Sequence, residues 1–159
     1  MKNANGFTLI ELIIAIVIIA ILALGAVARL PDTTLNLSGQ ADQLASDIRL
    51  VQSMAMTRGQ RFRINFNAGG PPSTYQIVAQ DGTANVVHPV TTTTGSISLA
   101  STVATTNAFI VFDGKGTPYS DAVTPGTPLA GLGATITLTK DGQSRTVTIQ
   151  PGTGRVQVP

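Results

Sequence analysis

From Leu12 to Ala28 the chain carries no charge and no strong hydrogen-bonding side chain. Counted from Phe7, the largely apolar stretch gives about 33 Å of helix at ~1.5 Å per residue. That is enough for a hydrocarbon core of ~30 Å. Arg29 ends the run, and Pro31 disfavours helix at Leu30 just before it. No other stretch of the chain compares. The segment therefore reads as a one-pass membrane helix or a cleaved export signal.

An ordinary secretory signal would use Lys2 as its positive region and Ala26-Val27-Ala28 as a small-x-small cleavage site. Glu11 stands against that reading. A carboxylate at the mouth of an apolar run costs ~2.5–3.5 kcal/mol if it sits ionised in lipid, so it asks for a partner. Signal peptides place positive charge there instead.

Gly6-Phe7-Thr8-Leu9-Ile10-Glu11, followed at once by the apolar run, resembles the prepilin-type motif of type IV pilins and type II secretion pseudopilins. The resemblance implies cleavage by prepilin peptidase between Gly6 and Phe7, removing a leader over residues 1–6. It also implies methylation of the new Phe7 amine. Glu11 would then pair with the Phe7 amine of a neighbouring subunit in a filament. Such a buried pair sets register, because misaligned packing leaves charges unpaired.

Beyond Pro31 a second helical pattern appears over about 37–58. Leu37, Ala41, Leu44, Ile48, Val51 and Ala55 make one apolar stripe at spacings of four and three. Asp42, Asp47, Arg49 and Gln52 fall largely off it, Ser38 is placed to cap its start, and Arg58-Gly59 reads as a stop. From Gln60 the period changes to two. Phe62, Ile64 and Phe66 alternate with Arg61, Arg63 and Asn65, and Tyr75, Ile77 and Ala79 repeat the pattern up to Asp81-Gly82. Ile97 and Leu99 mark a Thr/Ser-rich strand, and Phe109 to Phe112 a short buried one. Thr135–Thr139 and Thr146–Gln150 flank Asp141-Gly142, a type I′ hairpin signal. Arg155 to Val158 adds a last strand. The fold class expected is α+β: a long N-terminal helix, half transmembrane and half amphipathic, packed on a mostly antiparallel sheet. The globular part is expected over residues 29–159.

Helix followed by sheet resembles the GspH/FimT-like minor pilins and pseudopilins across the whole chain. The stretch from Ala41 to Phe66 is also similar, more weakly, to minor subunits of mannose-sensitive haemagglutinin pili. Major pilins usually close a C-terminal loop with a disulfide. This chain has no cysteine, which favours a minor subunit or pseudopilin.

The absence of cysteine also excludes disulfide scaffolds, thiol catalysis and zinc–thiolate sites. Charged residues make up 11%, under half the usual ~25%. His88, the only histidine, precedes Pro89 without a partner motif and reads as a surface residue. Gly114-Lys115-Gly116-Thr117 lacks the spacing of a phosphate loop and reads as a tight turn. Asp81, Asp113, Asp121 and Asp141 read as turn residues without calcium-loop spacing. No enzymatic activity, cofactor or metal is expected.

Arg58, Arg61 and Arg63, with Arg145 and Arg155, form a candidate basic patch for DNA phosphates or an acidic neighbour. Some FimT-like minor pilins bind DNA in natural transformation through a C-terminal Gly-Arg-x-Arg. Here the stretch reads Gly154-Arg155-Val156-Gln157, without the second Arg. Few aromatics are available to stack bases. A solvated face or subunit contacts are therefore favoured over nucleic acid.

The function expected is a non-enzymatic minor pilin or pseudopilin of a type IV pilus or type II secretion pseudopilus. The alternative is a DNA-binding minor pilin. Expected partners are other pilin subunits, prepilin peptidase, an inner-membrane assembly platform and inner-membrane lipid. The chain is expected as a single-pass protein of the bacterial inner membrane with its domain in the periplasm, moving into a filament on assembly.

Overall fold

The computed structural model describes residues 8–27, 32–67, 73–79, 86–88, 95–121 and 126–159. The chain divides into two compact units, Met1–Asp32 and Thr33–Pro159.

In the first unit, helix α1 runs from Leu9 to Val27. Thr8 caps it, its Oγ1 accepting the Glu11 amide at 3.3 Å and its carbonyl the same amide at 3.1 Å. Glu11 is the one acid in the first turn, on the side that the helix dipole favours. The large side chains from Leu9 to Leu22 are all exposed. α1 covers about 28 Å, and among the described residues no helix is long and apolar enough to cross a membrane. The span expected from the sequence included Phe7 and Ala28, which lie outside the described residues.

Helix α2 runs from Asp32 to Arg58, all but its first residue in the second unit. It begins earlier than its apolar stripe does, so Ser38 is inside the helix rather than its cap. Its hydroxyl instead accepts Arg145 Nε at 3.0 Å. The stripe is buried as its spacing required: Leu37, Ala41, Leu44, Ile48, Val51 and Ala55 all lie in the core, joined by Ala45. Burial of each large aliphatic contributes about 1.5–3 kcal/mol.

The strands are β1 (Phe62–Asn67), β2 (Ser73–Ala79), β3 (Ile97–Leu99), β4 (Thr102–Thr105), β5 (Phe109–Phe112), β6 (Pro118–Tyr119), β7 (Ala134–Lys140), β8 (Gln143–Ile149) and β9 (Val156–Gln157). They form two sheets, ordered β3-β2-β1-β5-β6 and β4-β7-β8-β9. Every pairing is antiparallel.

Register follows the alternation. Ile64 lies between Ile77 and Ile110, and Phe62 opposite Phe112, all buried on the face toward α2. In the second sheet Ile136 lies opposite Val147 and Ala134 opposite Ile149. The β7–β8 hairpin turns at Asp141 and Gly142, with φ of 50° and 77°, the two positive angles a type I′ turn requires. β4 carries one buried apolar residue, Val103, and so left almost no periodic signal. The expected turns at Pro71-Pro72 and Asp81-Gly82, and Thr91–Thr94, lie outside the described residues.

Candidate functional site

Two regions carry the residues singled out from the sequence. At the N-terminus, Gly6 and Phe7 lie outside the described residues, whereas Glu11 is exposed on the first turn of α1.

The five arginines of the candidate patch are divided by the fold. Arg58, Arg61 and Arg63 each lie over an aromatic ring. The guanidinium carbons stand 5.4 Å from the Phe62 centroid, 4.4 Å from Tyr119 and 5.2 Å from Phe109. β5 and β6 supply Phe109 and Tyr119 because Val111 pairs both with Arg63 of β1 and with Tyr119. Arg145 is elsewhere, bonded to Ser38. Arg155 sits in the turn between β8 and β9, beside the stretch of α2 around Gln52. Between Ser38 and Gln52 the helix advances about 21 Å.

Two cations that the sequence reading left out of the patch join Arg155. Arg49 Nη2 donates to the Val156 carbonyl at 3.0 Å. Gln52 Nε2 donates to both the Gly116 and Thr153 carbonyls at 2.9 Å, drawing the turn that carries Lys115 against the turn that leads into Arg155. Gly116 and Gly154 have φ of 81° and 66°. A Cβ on Gly154 would stand 2.6 Å from Gln52 Nε2 and 2.8 Å from the Gly116 carbonyl. Sequence reasoning missed this joint because its three parts are far apart in the chain. The glycines were its only local signal.

The Gly114–Thr117 stretch is a turn built by Asp113. Its Oδ1 accepts the Lys115 and Thr117 amides at 2.9 and 2.8 Å, and its Oδ2 accepts the Tyr119 hydroxyl at 3.2 Å. Partial burial raises the affinity of this carboxyl for its proton. The amides of Thr117 and Lys115, the Tyr119 hydroxyl and the charge of Arg61 outweigh that, and hold its pKa below the usual carboxylate value.

A second polar cluster corrects two expectations. His88 is not a surface residue but only 4% exposed, and Asp47 is 5% exposed although it was placed off the apolar stripe. His88 Nε2 lies 2.9 Å from Asp47 Oδ1, while Asp47 Oδ2 accepts the hydroxyl of buried Tyr75. Asp47 precedes Ile48 on α2, so a small rotation of the stripe carries it inside, where two partners meet both its oxygens. Burial first, then the bond to Asp47 and its charge, push the Tyr75 pKa far above its ordinary value. A Gln43 bond pulls the other way. Asp47, Tyr75 and His88 are all buried. Among the described residues no three His, Cys, Asp or Glu side chains gather as a metal site.

A capped apolar helix with one acid in its first turn, and a second helix laid against antiparallel sheets, define a pilin-like α+β protein. Residues 40–153 match the family model described as type II transport protein GspH, and residues 1–27 match the prokaryotic N-terminal methylation motif. The chain belongs to the GspH family and carries that motif. The fold is similar to that of the type IV minor pilin FimU of Pseudomonas aeruginosa strain PAO1 in two crystal forms. One aligns at 18% identity and TM-score 0.53, covering 77% of this chain and 92% of that one. The other aligns at 19% and 0.54, covering 81% and 92%. No curated protein matches the chain.

Proposed function

We propose that this chain is a minor pilin or pseudopilin subunit whose N-terminal segment is processed, anchored in the membrane and then assembled into a filament. The observation that carries the reading is the placement of Glu11. It is the single charge of an otherwise apolar helix whose large side chains are exposed from Leu9 to Leu22. In water such a surface is unfavourable by about 25 cal/mol per Å², so it calls for lipid or for neighbouring helices.

Prepilin peptidase would cut between Gly6 and Phe7, and the Phe7 amine would be methylated. Residues 7–28 would hold the chain in the bacterial inner membrane, with the domain from Thr33 onward in the periplasm. An assembly platform would then extract the helix into a pilus or pseudopilus. There Glu11 of one subunit would face the Phe7 amine of the next, and alignment would leave neither charge alone.

Mass spectrometry of the mature protein tests the processing step. The expected N-terminus is methylated Phe7, and a chain beginning at Arg29 would overturn the proposal. Gly6→Ala is expected to block cleavage and leave the leader in place.

A further inference from the structure

We propose that the outer face of the five-stranded sheet carries a binding groove for one neutral sugar ring of a glycan. The groove, of about 240 Å³, is lined by Asn65 and Asn67 of β1, Thr74 and Gln76 of β2, and Ser96 just before β3. Strand alternation brings these side chains together. Asn65 lies opposite Gln76 and Asn67 opposite Thr74, while Phe66 and Tyr75 between them turn into the core. Four hydrogen-bonding side chains therefore stand at the corners of a patch about 4.8 Å across the strands and about 7 Å along them. One six-membered sugar ring covers that footprint.

The hydrogen-bonding capacity of the patch is not spent within the domain. Among the described residues, the side chains of Asn65, Asn67, Thr74 and Ser96 have no hydrogen-bond partner. Asn65, Thr74 and Gln76 are half-buried, and a hydrogen bond made there gains more than one on an open surface.

The lining selects the ligand. Among the described residues it contains no charged side chain, so it offers no counter-ion to a carboxylate, a phosphate or an ammonium group. Its side chains end in amides and hydroxyls, which suits neither lipid tails nor flat aromatic ligands. An extended peptide docks by adding a strand to an open edge. That route is closed here, because β2 is paired with β1 and β3, and β1 with β2 and β5. What remains is an uncharged ligand whose groups both donate and accept. An Asn or Gln end presents a donor and an acceptor side by side, and a hydroxyl does both through one atom. Neighbouring sugar hydroxyls have the same dual character and meet an amide end in pairs. The volume is below the ~300–1,000 Å³ of sites for drug-sized ligands, which fits one ring with the rest of the glycan in solvent. The groove lies wholly in the second unit and rests on no feature of filament assembly.

The test uses the full chain, isotope-labelled, in a polyoxyethylene detergent, which has no sugar headgroup. Side-chain amide NMR signals of Asn65, Asn67 and Gln76 are followed as cellobiose, lactose, maltose and diacetylchitobiose are added in turn. At least one of them is expected to shift these signals with a millimolar dissociation constant. N65A/N67A, read from Gln76, is expected to weaken that binding about tenfold. Q143A/S144A, on β8 outside the groove, is expected to leave it within about twofold. Neither position 65 nor 67 contributes to the core, and circular dichroism confirms that both variants fold. N67A alone changes only an exposed residue and is expected to weaken binding about threefold. No shift with any of the four sugars overturns the proposal, as does equal weakening by the two double variants. So do equally large shifts from glycerol at the same concentration, or tighter binding of tetraglycine, which would assign the groove to main-chain amides.

Discussion

His88 Nε2 lies 2.9 Å from Asp47 Oδ1 inside the core, joining the segment before Pro89 to the middle of α2. The other oxygen of Asp47 takes the Tyr75 hydroxyl, so one carboxylate ties a helix, a strand and a loop. Polar groups this deeply buried are tolerated because they are paired, and they are costly once a partner is lost. Asp47→Ala removes the acceptor of the Tyr75 hydroxyl and the carboxylate beside the His88 ring. It is expected to destabilise the domain by about 3 kcal/mol. Thermal unfolding of the full chain in detergent, followed by the β-sheet circular dichroism signal, measures it. A midpoint equal to wild type would show that the cluster contributes nothing.

Tyr75 gives the domain an alkaline limit. Its folded pKa is raised, so its contribution to stability is complete below the unfolded value of about 10. It is lost as pH rises beyond that toward the folded value. The free energy of unfolding is expected to fall steadily above about pH 10, by up to ~1.4 kcal/mol per pH unit from this group. Tyr75→Phe removes the titration, and the alkaline slope of the variant should be flatter than that of wild type. Equal slopes would assign the alkaline loss to other groups.

Asp113 acts in the opposite direction. Its folded pKa is lowered, so its contribution is present above the unfolded value near 4 and is lost as pH falls below it. The group is largely solvated, and the acid-side effect is correspondingly small. Asp113→Asn keeps an acceptor for the turn amides. It is expected to flatten the acid limb without changing the stability at neutral pH by more than about 1 kcal/mol.

Gly154 is confined by backbone and contacts together. Its φ is 66°, and a Cβ there would meet Gln52 Nε2 and the Gly116 carbonyl at under 3 Å. Gly154→Ala is expected to cost about 2–3 kcal/mol through strain and displacement of the joint. Gln52→Ala loses only two hydrogen bonds at a partly exposed place, about 1–2 kcal/mol. Chemical denaturation of both variants gives the order, and a larger loss for Gln52→Ala would contradict it.

These sites mark where the sequence was readable. The α2 stripe, β1 and the β7–β8 hairpin announce themselves because burial on one face imposes a period on neighbouring residues. The Asp141-Gly142 turn is legible because few residues adopt two successive positive φ angles. Asp47 with Tyr75 and His88, and Gln52 with Gly116 and Thr153, join positions 28 to 101 residues apart. Nothing periodic accompanies such pairs. Arg145 was grouped with Arg155 by type and proximity in the chain, yet β8 carries it to Ser38. Arg49 reaches Val156 because α2 runs beside β9, which only the tertiary fold reveals.

Glu11 separates shape from charge in the assembly reading. Its own amide is held by Thr8, and its carboxylate favours the N-terminal end of α1. Glu11→Gln preserves size and hydrogen bonding and gives up only a few tenths of a kcal/mol of helix stability. If the carboxylate sets register by meeting an amine, Gln should reduce filament incorporation nearly as much as Ala. Cleavage of the leader should proceed normally in both. Glu11→Asp, which keeps the charge on a shorter arm, should retain more incorporation than either. Quantifying the subunit in sheared filaments against its membrane pool measures all three. Full incorporation of the Gln variant would show that packing around position 11, rather than charge pairing, aligns the subunits.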